Sequence, residues 1–599
     1  MCYSWGGGAH SVTIGDMRVW VGSRQSQPED LGSGNHQQQM GITKMKRYAV
    51  LGLGLAVIAA GSLQAQQSQH NTDAPYYDLG GVHYPVTTDS EASQTWFDRG
   101  LAMCYGFNHE EAVRCFEKSL AADPGNAMAY WGLAYAWGPN INNMLIEPAQ
   151  IAQATLAVRL ARLHSTHCTD LEKALIEAMA SRYATHVPED RDPLNQAYAD
   201  AMRTVYQQHG NDPLVATLFA ESLMNLQPWL HWAPDGKPGA HTSEIVEVLE
   251  AGMKRSPKYP SLCHFYIHAM EASPTPEKAL QAANHLRDAL PDQGHLLHMP
   301  THIDIWLGDY EKVIAENLKA IEADKKFLSR EGPLNFYSLY RIHNYHFLVY
   351  GAMFDGQSEL ALQAAQAIKE QVPEPMLLEQ VDFLDAFMPT DLHVLVRFGR
   401  WEEILKQPEP ADYLPMSRSI WHYARALAYA ATERIDQAEV EQDSFEEALE
   451  QVPETSFLFQ NPSINILGVA EEMIAGEIAY RRGEFDVAFE HLREAIRRDD
   501  ALNYDEPWGW MQPARHALGA LLLEQEHYEE AEAVYREDLR RHPKNAWALH
   551  GLAECLEKQG KTEELAQCRE QFTIATQRTD VKIDRSCYCK LKMDDESDD

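Results

Sequence analysis

Residues 515–543 read RHALGALLLEQEHYEEAEAVYREDLRRHP, and the spacing within this stretch decides the fold. Gly519, Ala531, Tyr535 and Pro543 fall at successive offsets of 12, 4 and 8. Gly100, Ala112, Phe116 and Pro124 repeat all three offsets near the other end, with Trp96 four residues before the glycine. Gly476, Ala488 and Leu492 keep the register, with Asp500 where the proline would stand. Such a period has a physical reading: two antiparallel helices approach closely where the residues are small, the aromatic fills the gap, and proline stops the second helix.

Between these ends the pattern loosens but stays helical. Gly308-Asp309-Tyr310-Glu311-Lys312-Val313-Ile314, followed by Asn317 and Ala320, is one such stretch, and Phe398-Gly399-Arg400-Trp401-Glu402-Glu403-Ile404 is another. No alternating runs argue for strands. The expected fold is all-α, a solenoid of antiparallel helical hairpins. The reading divides the chain into an amino-terminal helical region (91–235), a central His-rich region (240–405), a helical connection (416–450) and a carboxy-terminal repeat region (468–580). A 66–90 linker precedes them, and a Cys-x-Cys and acidic tail (581–599) follows. Loop-like breaks are expected at 234–239, 407–415 and 451–462.

The register at 96–124 and 515–543 resembles the tetratricopeptide repeat family. That resemblance implies right-handed superhelices whose concave faces bind peptides or protein partners. HFYIHAMEAS (264–273), GHLLHMPTHI (294–303), HNYHF (343–347) and REDLRRHPKNAW (536–547) are together similar to a group of exported bacterial repeat proteins, which implies a fold and an address but no activity.

Composition narrows the function classes. With 599 residues, 45% hydrophobic and 23% charged, the chain is neither disordered nor fibrous. Lys and Arg number 51 against 88 Asp and Glu, a net charge of −37 with no basic stripe, so nucleic acid and anionic membrane surfaces are not expected partners. From Met45 the sequence MKRYAVLGLGLAVIAAGSLQAQ has the cationic, apolar and small-residue parts of a secretory signal, with cleavage expected after Ala65. Residues 1–44 read as an extension upstream of that signal. The first 65 residues hold five Lys/Arg and three Asp/Glu, so removing them leaves a net charge of −39. The expected address is periplasmic or secreted, with no stable membrane anchor after cleavage.

An exported chain is a candidate for disulfides. Cys104 with Cys115, and Cys555 with Cys568, each flank an expected helix–helix turn and could staple it. Cys587-Tyr588-Cys589 reads as a disulfide pair, free thiols or a thiolate metal pair.

The central segment carries the candidate chemistry. At 100° per residue His264, His268 and Glu271 stand at about 0°, 40° and 340° on a helix, a single face able to converge on one ion. His298 and His302 are again four apart around Pro300, which either opens a helix or kinks one, and His343 and His346 are three apart. Imidazole with carboxylate suits zinc, copper, iron or manganese. A metal-free polar pocket and a structural hydrogen-bond network use the same residues, because buried imidazoles need partners. His285, His393, His422 and His491 read as ordinary surface or core histidines.

No H-E-x-x-H, G-x-S-x-G or G-x-x-x-x-G-K-[ST] occurs. Three functions therefore stand: a protein- or peptide-binding scaffold with a transition-metal site, a hydrolytic or oxidative metal-dependent enzyme, and metal buffering or delivery. Asp505-Glu506-Pro507-Trp508-Gly509-Trp510 and Pro228-Trp229-Leu230-His231-Trp232 depart from repeat filler; tryptophans beside prolines and carboxylates either line a pocket or seal turns against the next hairpin, and sealing is the favoured expectation. Arg515-His516 carries no fixed direction in the sequence.

Overall fold

A computed structural model describes residues 76–144, 146–184 and 190–589. The expected signal segment, residues 1–44 and the acidic end lie outside the described residues. The chain is an all-α succession of helical hairpins. Among the described residues the exception is a pair of two-residue strands, Phe457–Leu458 and Asn461–Pro462, in the loop expected at 451–462.

Local sequence explains where the helices start. Ser90 accepts from the Ser93 amide, Asn108 from Glu111, Asn126 from Ala129 and Asn545 from Ala548, each satisfying an orphan amide at a helix amino terminus. Thr169 and Glu172 cap each other's amides before the helix Asp170–Ala180.

The repeat register does what its spacing predicts. The Phe116 ring lies between the helix carrying Gly100 and the helix carrying Gly132, and a Cβ on either glycine would come within 2.6 and 2.5 Å of it. Tyr535 sits in the same way between Gly519 and Gly551, where added Cβ atoms would stand 2.5 and 2.1 Å from its ring. Gly476 packs on Leu492. Phe116 and Tyr535 thus each lock three successive helices, because a closely packed interior has no room for another methyl.

The expected staples do not form. Among the described residues neither Cys104–Cys115 nor Cys555–Cys568 is bridged: Cys115 Sγ lies 2.9 Å from the Tyr76 hydroxyl instead, and Cys568 donates to the Leu549 carbonyl. The disulfide present joins Cys587 to Cys589.

The central hairpins are enclosed by both ends of the chain. Gln293 Nε2 donates to the Ala102 carbonyl, and Asn142 Nδ2 to the Tyr340 hydroxyl. From the carboxy-terminal side, Trp547 donates to the Met353 carbonyl while Tyr310 donates to that of Pro543. Trp508 packs its ring 4.8 Å from Trp306 and 5.3 Å from Tyr350, the sealing role expected of it. The His-rich helices therefore lie in an interior walled by non-neighbouring repeats. No described helix is long and apolar enough to cross a membrane.

Candidate metal centre

Four helices bring the imidazoles together, and a fifth supplies an asparagine. His264 and His268 lie on the helix Pro260–Met270, with Glu271 at its carboxy-terminal cap. His295 and His298 occupy the helix Gly294–His298; Pro300 ends that helix region and caps the next, Thr301–Trp306, which holds His302. Pro300 therefore separates two short helices, and the turn between them points both histidines inward. His343 projects from Ser338–Phe354, and Asn317 from Tyr310–Glu331. All these side chains are buried.

The hydrogen bonds fix the ring tautomers. Asn317 Nδ2 donates to the Val313 carbonyl at 2.8 Å, which turns its Oδ1 towards His298 Nδ1 at 2.7 Å. Oδ1 only accepts, so His298 Nδ1 carries the proton and its Nε2 a lone pair. Glu271 Oε2 accepts from His302 Nδ1 at 2.5 Å, so His302 also turns an Nε2 lone pair inward. These two Nε2 atoms are 2.6 Å apart, and His343 Nε2 lies 2.9 Å from that of His298. Opposed lone pairs at such separations repel unless a positive centre, a metal ion or a shared proton, sits among them. Ligand nitrogens about 2.0–2.1 Å from one tetrahedral ion stand ~3.3 Å apart. Small ring rotations would bring the trio to that spacing.

A second trio adjoins the first. His264 Nε2 and His295 Nε2 are 3.1 Å apart, and ring nitrogens of His264, His268 and His295 all lie within 4.8 Å of one another. Glu271 Oε1 accepts from His268 Nδ1 at 2.8 Å, so this one carboxylate holds a histidine of each trio. The Glu506 carboxylate stands 3.3 Å from His302 Nδ1 and 3.9 Å from His268 Nδ1. The Phe107 ring covers the second trio, its centroid 4.8 Å from that of His264 and 5.2 Å from that of His295.

Burial suits these rings to metal, which binds neutral imidazole. It pushes His264, His295, His298 and His343 well below the usual histidine range, and His268 down to about 3. His302 differs: burial lowers it, but the carboxylates of Glu506 and Glu271 outweigh that and hold it at about 10, so without a metal a proton sits between the Nε2 atoms of His302 and His298, and a bound ion would take that proton's place. Burial, with the neighbouring Glu271 charge, raises Glu506 to about 7.

Six of the seven residues singled out in the sequence, His264, His268, Glu271, His298, His302 and His343, are brought together. His346 is not: its ring meets Phe387 edge-on at 5.1 Å. All 17 residues of its helix are buried, so the helix is packed on every side and a shared face does not by itself aim His346 at the cluster that His343 joins. Glu271 uses both oxygens on Nδ1 protons and so stands as the orienting carboxylate behind two rings.

Sequence reading missed His295, Asn317 and Glu506 as site residues. His295 stands three before His298, a spacing that could have flagged it, whereas Glu506 comes from a distant loop whose role had been assigned to turn sealing. His422 and His491 are satisfied by Glu441 and Glu472, as ordinary histidines should be. His516 turns inward onto Asp538 at 2.8 Å, and Arg515 pairs with Asp500.

No curated protein sequence matches this chain. Among solved structures, the human IFIT1 dimer with m7Gppp-AAAA is similar at 12% identity and a TM-score of 0.29, over 82% of this chain and 92% of that one. The same human protein as a dimer with PPP-AAAA gives 12% identity and a TM-score of 0.26, over 80% and 89%. Residues 522–564 match the tetratricopeptide repeat family, in the hairpins that clamp Tyr535 between Gly519 and Gly551. The tetratricopeptide repeat match is thus placed in the carboxy-terminal hairpins, at residues 522–564.

Proposed function

We propose that this protein is an exported helical-repeat scaffold for a protein or peptide partner, and that it holds a transition-metal ion inside its central hairpins through His298, His302 and His343. The observation that carries the reading is the pair of opposed lone pairs. Asn317 and Glu271 each take an Nδ1 proton, which leaves two Nε2 atoms facing each other at 2.6 Å with a third imidazole alongside. Zinc, copper, iron and manganese all accept imidazole, with copper and zinc favoured by an all-nitrogen set. Repeat construction supports the partner-binding half of the reading. A net charge of −37 disfavours nucleic acid as that partner.

The test is elemental analysis of untagged protein beside a His298→Gln/His302→Gln variant. About one or more equivalents of metal in the parent, falling sharply in the variant, is the expected result. A parent free of metal even after reconstitution would replace the ion with a proton shared between the two rings.

A further inference from the structure

The second trio has the marks of a ligand set that the first trio does not need. His268 Nδ1 is committed to Glu271, and its Nε2 has no partner although the residue is 2% exposed. His295 Nδ1 is likewise buried without a partner. Buried imidazole nitrogens are ordinarily paired, so two left unpaired in one cluster point to something they are built to hold.

Phe107 closes the cluster on one side. It stands at the left-handed turn position of its hairpin, seven residues after Gly100, as Gly483 and Glu526 do after Gly476 and Gly519, and its ring lies against those of His264 and His295.

Charge decides the class of ion. The six imidazoles are neutral ligands, and the buried carboxylates at the centre are Glu271 and Glu506. Two monovalent cations would be balanced by these two carboxylates. Two divalent ions would leave two uncompensated positive charges in a buried site, which burial strongly disfavours. Resting on the metal-binding reading above, we infer that the protein holds a pair of cuprous ions: one on His298, His302 and His343, the other on His264, His268 and His295, with Glu271 orienting a ring of each. Copper(I) is monovalent, accepts three-coordinate nitrogen sets, and needs no further ligand in a closed interior.

The test supplies cuprous ion anaerobically as its acetonitrile complex and counts copper per chain after desalting. The parent is expected to retain two equivalents. A His264→Gln/His295→Gln variant and a His298→Gln/His343→Gln variant are each expected to retain one, with helical circular dichroism unchanged. One equivalent in the parent, unaltered in the His264/His295 variant, would overturn the second site while leaving the single-ion reading intact. No copper and no zinc in the parent would overturn both. Two equivalents surviving in the His264/His295 variant would overturn the ligand assignment. Should a double variant lose its helicity, the single His295→Gln variant replaces it, and the parent's stoichiometry still decides between one ion and two.

Discussion

The carboxy-terminal hairpins and the central hairpins solve the same packing problem with different chemistry. Around Tyr535, glycines at 519 and 551 let three helices close on one ring, and the polar end of that ring bonds to Ser586 at 2.5 Å. In the central region Gly351 lets its helix approach Val313 just as closely, a Cβ there meeting that side chain at 2.6 Å. The seam beside it, however, is lined by imidazoles instead of a single large ring. Backbone separation is thus a property of the repeat, while the residues placed in the seam determine whether it is dry or ligand-bearing.

That contrast yields predictions of decreasing size. Replacing His298 and His302 with Gln should remove the ion held by His298, His302 and His343 while leaving the carboxy-terminal hairpins folded, read by elemental analysis and circular dichroism. Tyr535→Ala should do the reverse. Loss of a fully buried aromatic costs about 3–5 kcal/mol, visible as faster amide exchange across the helices Arg515–Glu524, Tyr528–Arg541 and Ala546–Lys558, with metal content unchanged. If either variant disturbed both regions equally, the division of labour would be wrong.

Asn317→Leu sharpens the central half of the comparison. Removing the acceptor that fixes the His298 tautomer should weaken metal affinity by roughly 10–100-fold in a competition titration, without removing a ligand. An unchanged affinity would mean that His298 needs no orienting partner.

A smaller effect concerns buried histidines outside the cluster. Burial pushes His393 and His542 down to about 4, so the unfolded chain takes up their protons first as pH falls. Their contribution to stability is full above about 6.5 and is lost progressively towards about 4. The thermal midpoint of metal-free protein should decline through that window, and His393→Gln should flatten the decline. The smallest effect is expected at His346, where a change to Gln should leave metal content as it was.

The hairpins could be read from the sequence because their rule is local: a glycine, an alanine and an aromatic at fixed offsets specify one interface. The pairs His264/His268 and His298/His302 were legible for the same reason, each lying within one or two helical turns. Their convergence was not, since it depends on how non-neighbouring repeats enclose the centre. Glu506 reaches His302 from a loop far along the chain; its Trp- and Pro-rich neighbourhood stands out from the repeats, but nothing local says which part of the fold it faces. His346 shows the converse error, a spacing that suits a shared face on a helix buried on every side. The staples expected at Cys104 and Cys115 failed because proximity across a helical turn does not aim two thiols at each other.

The most direct measurement is an anomalous difference map, recorded at the absorption edge of the metal found by elemental analysis, from crystals of the untagged protein. The account predicts a peak about 2.0–2.1 Å from the Nε2 atoms of His298, His302 and His343. An empty map at that position, with the three rings hydrogen-bonded to one another, would contradict it.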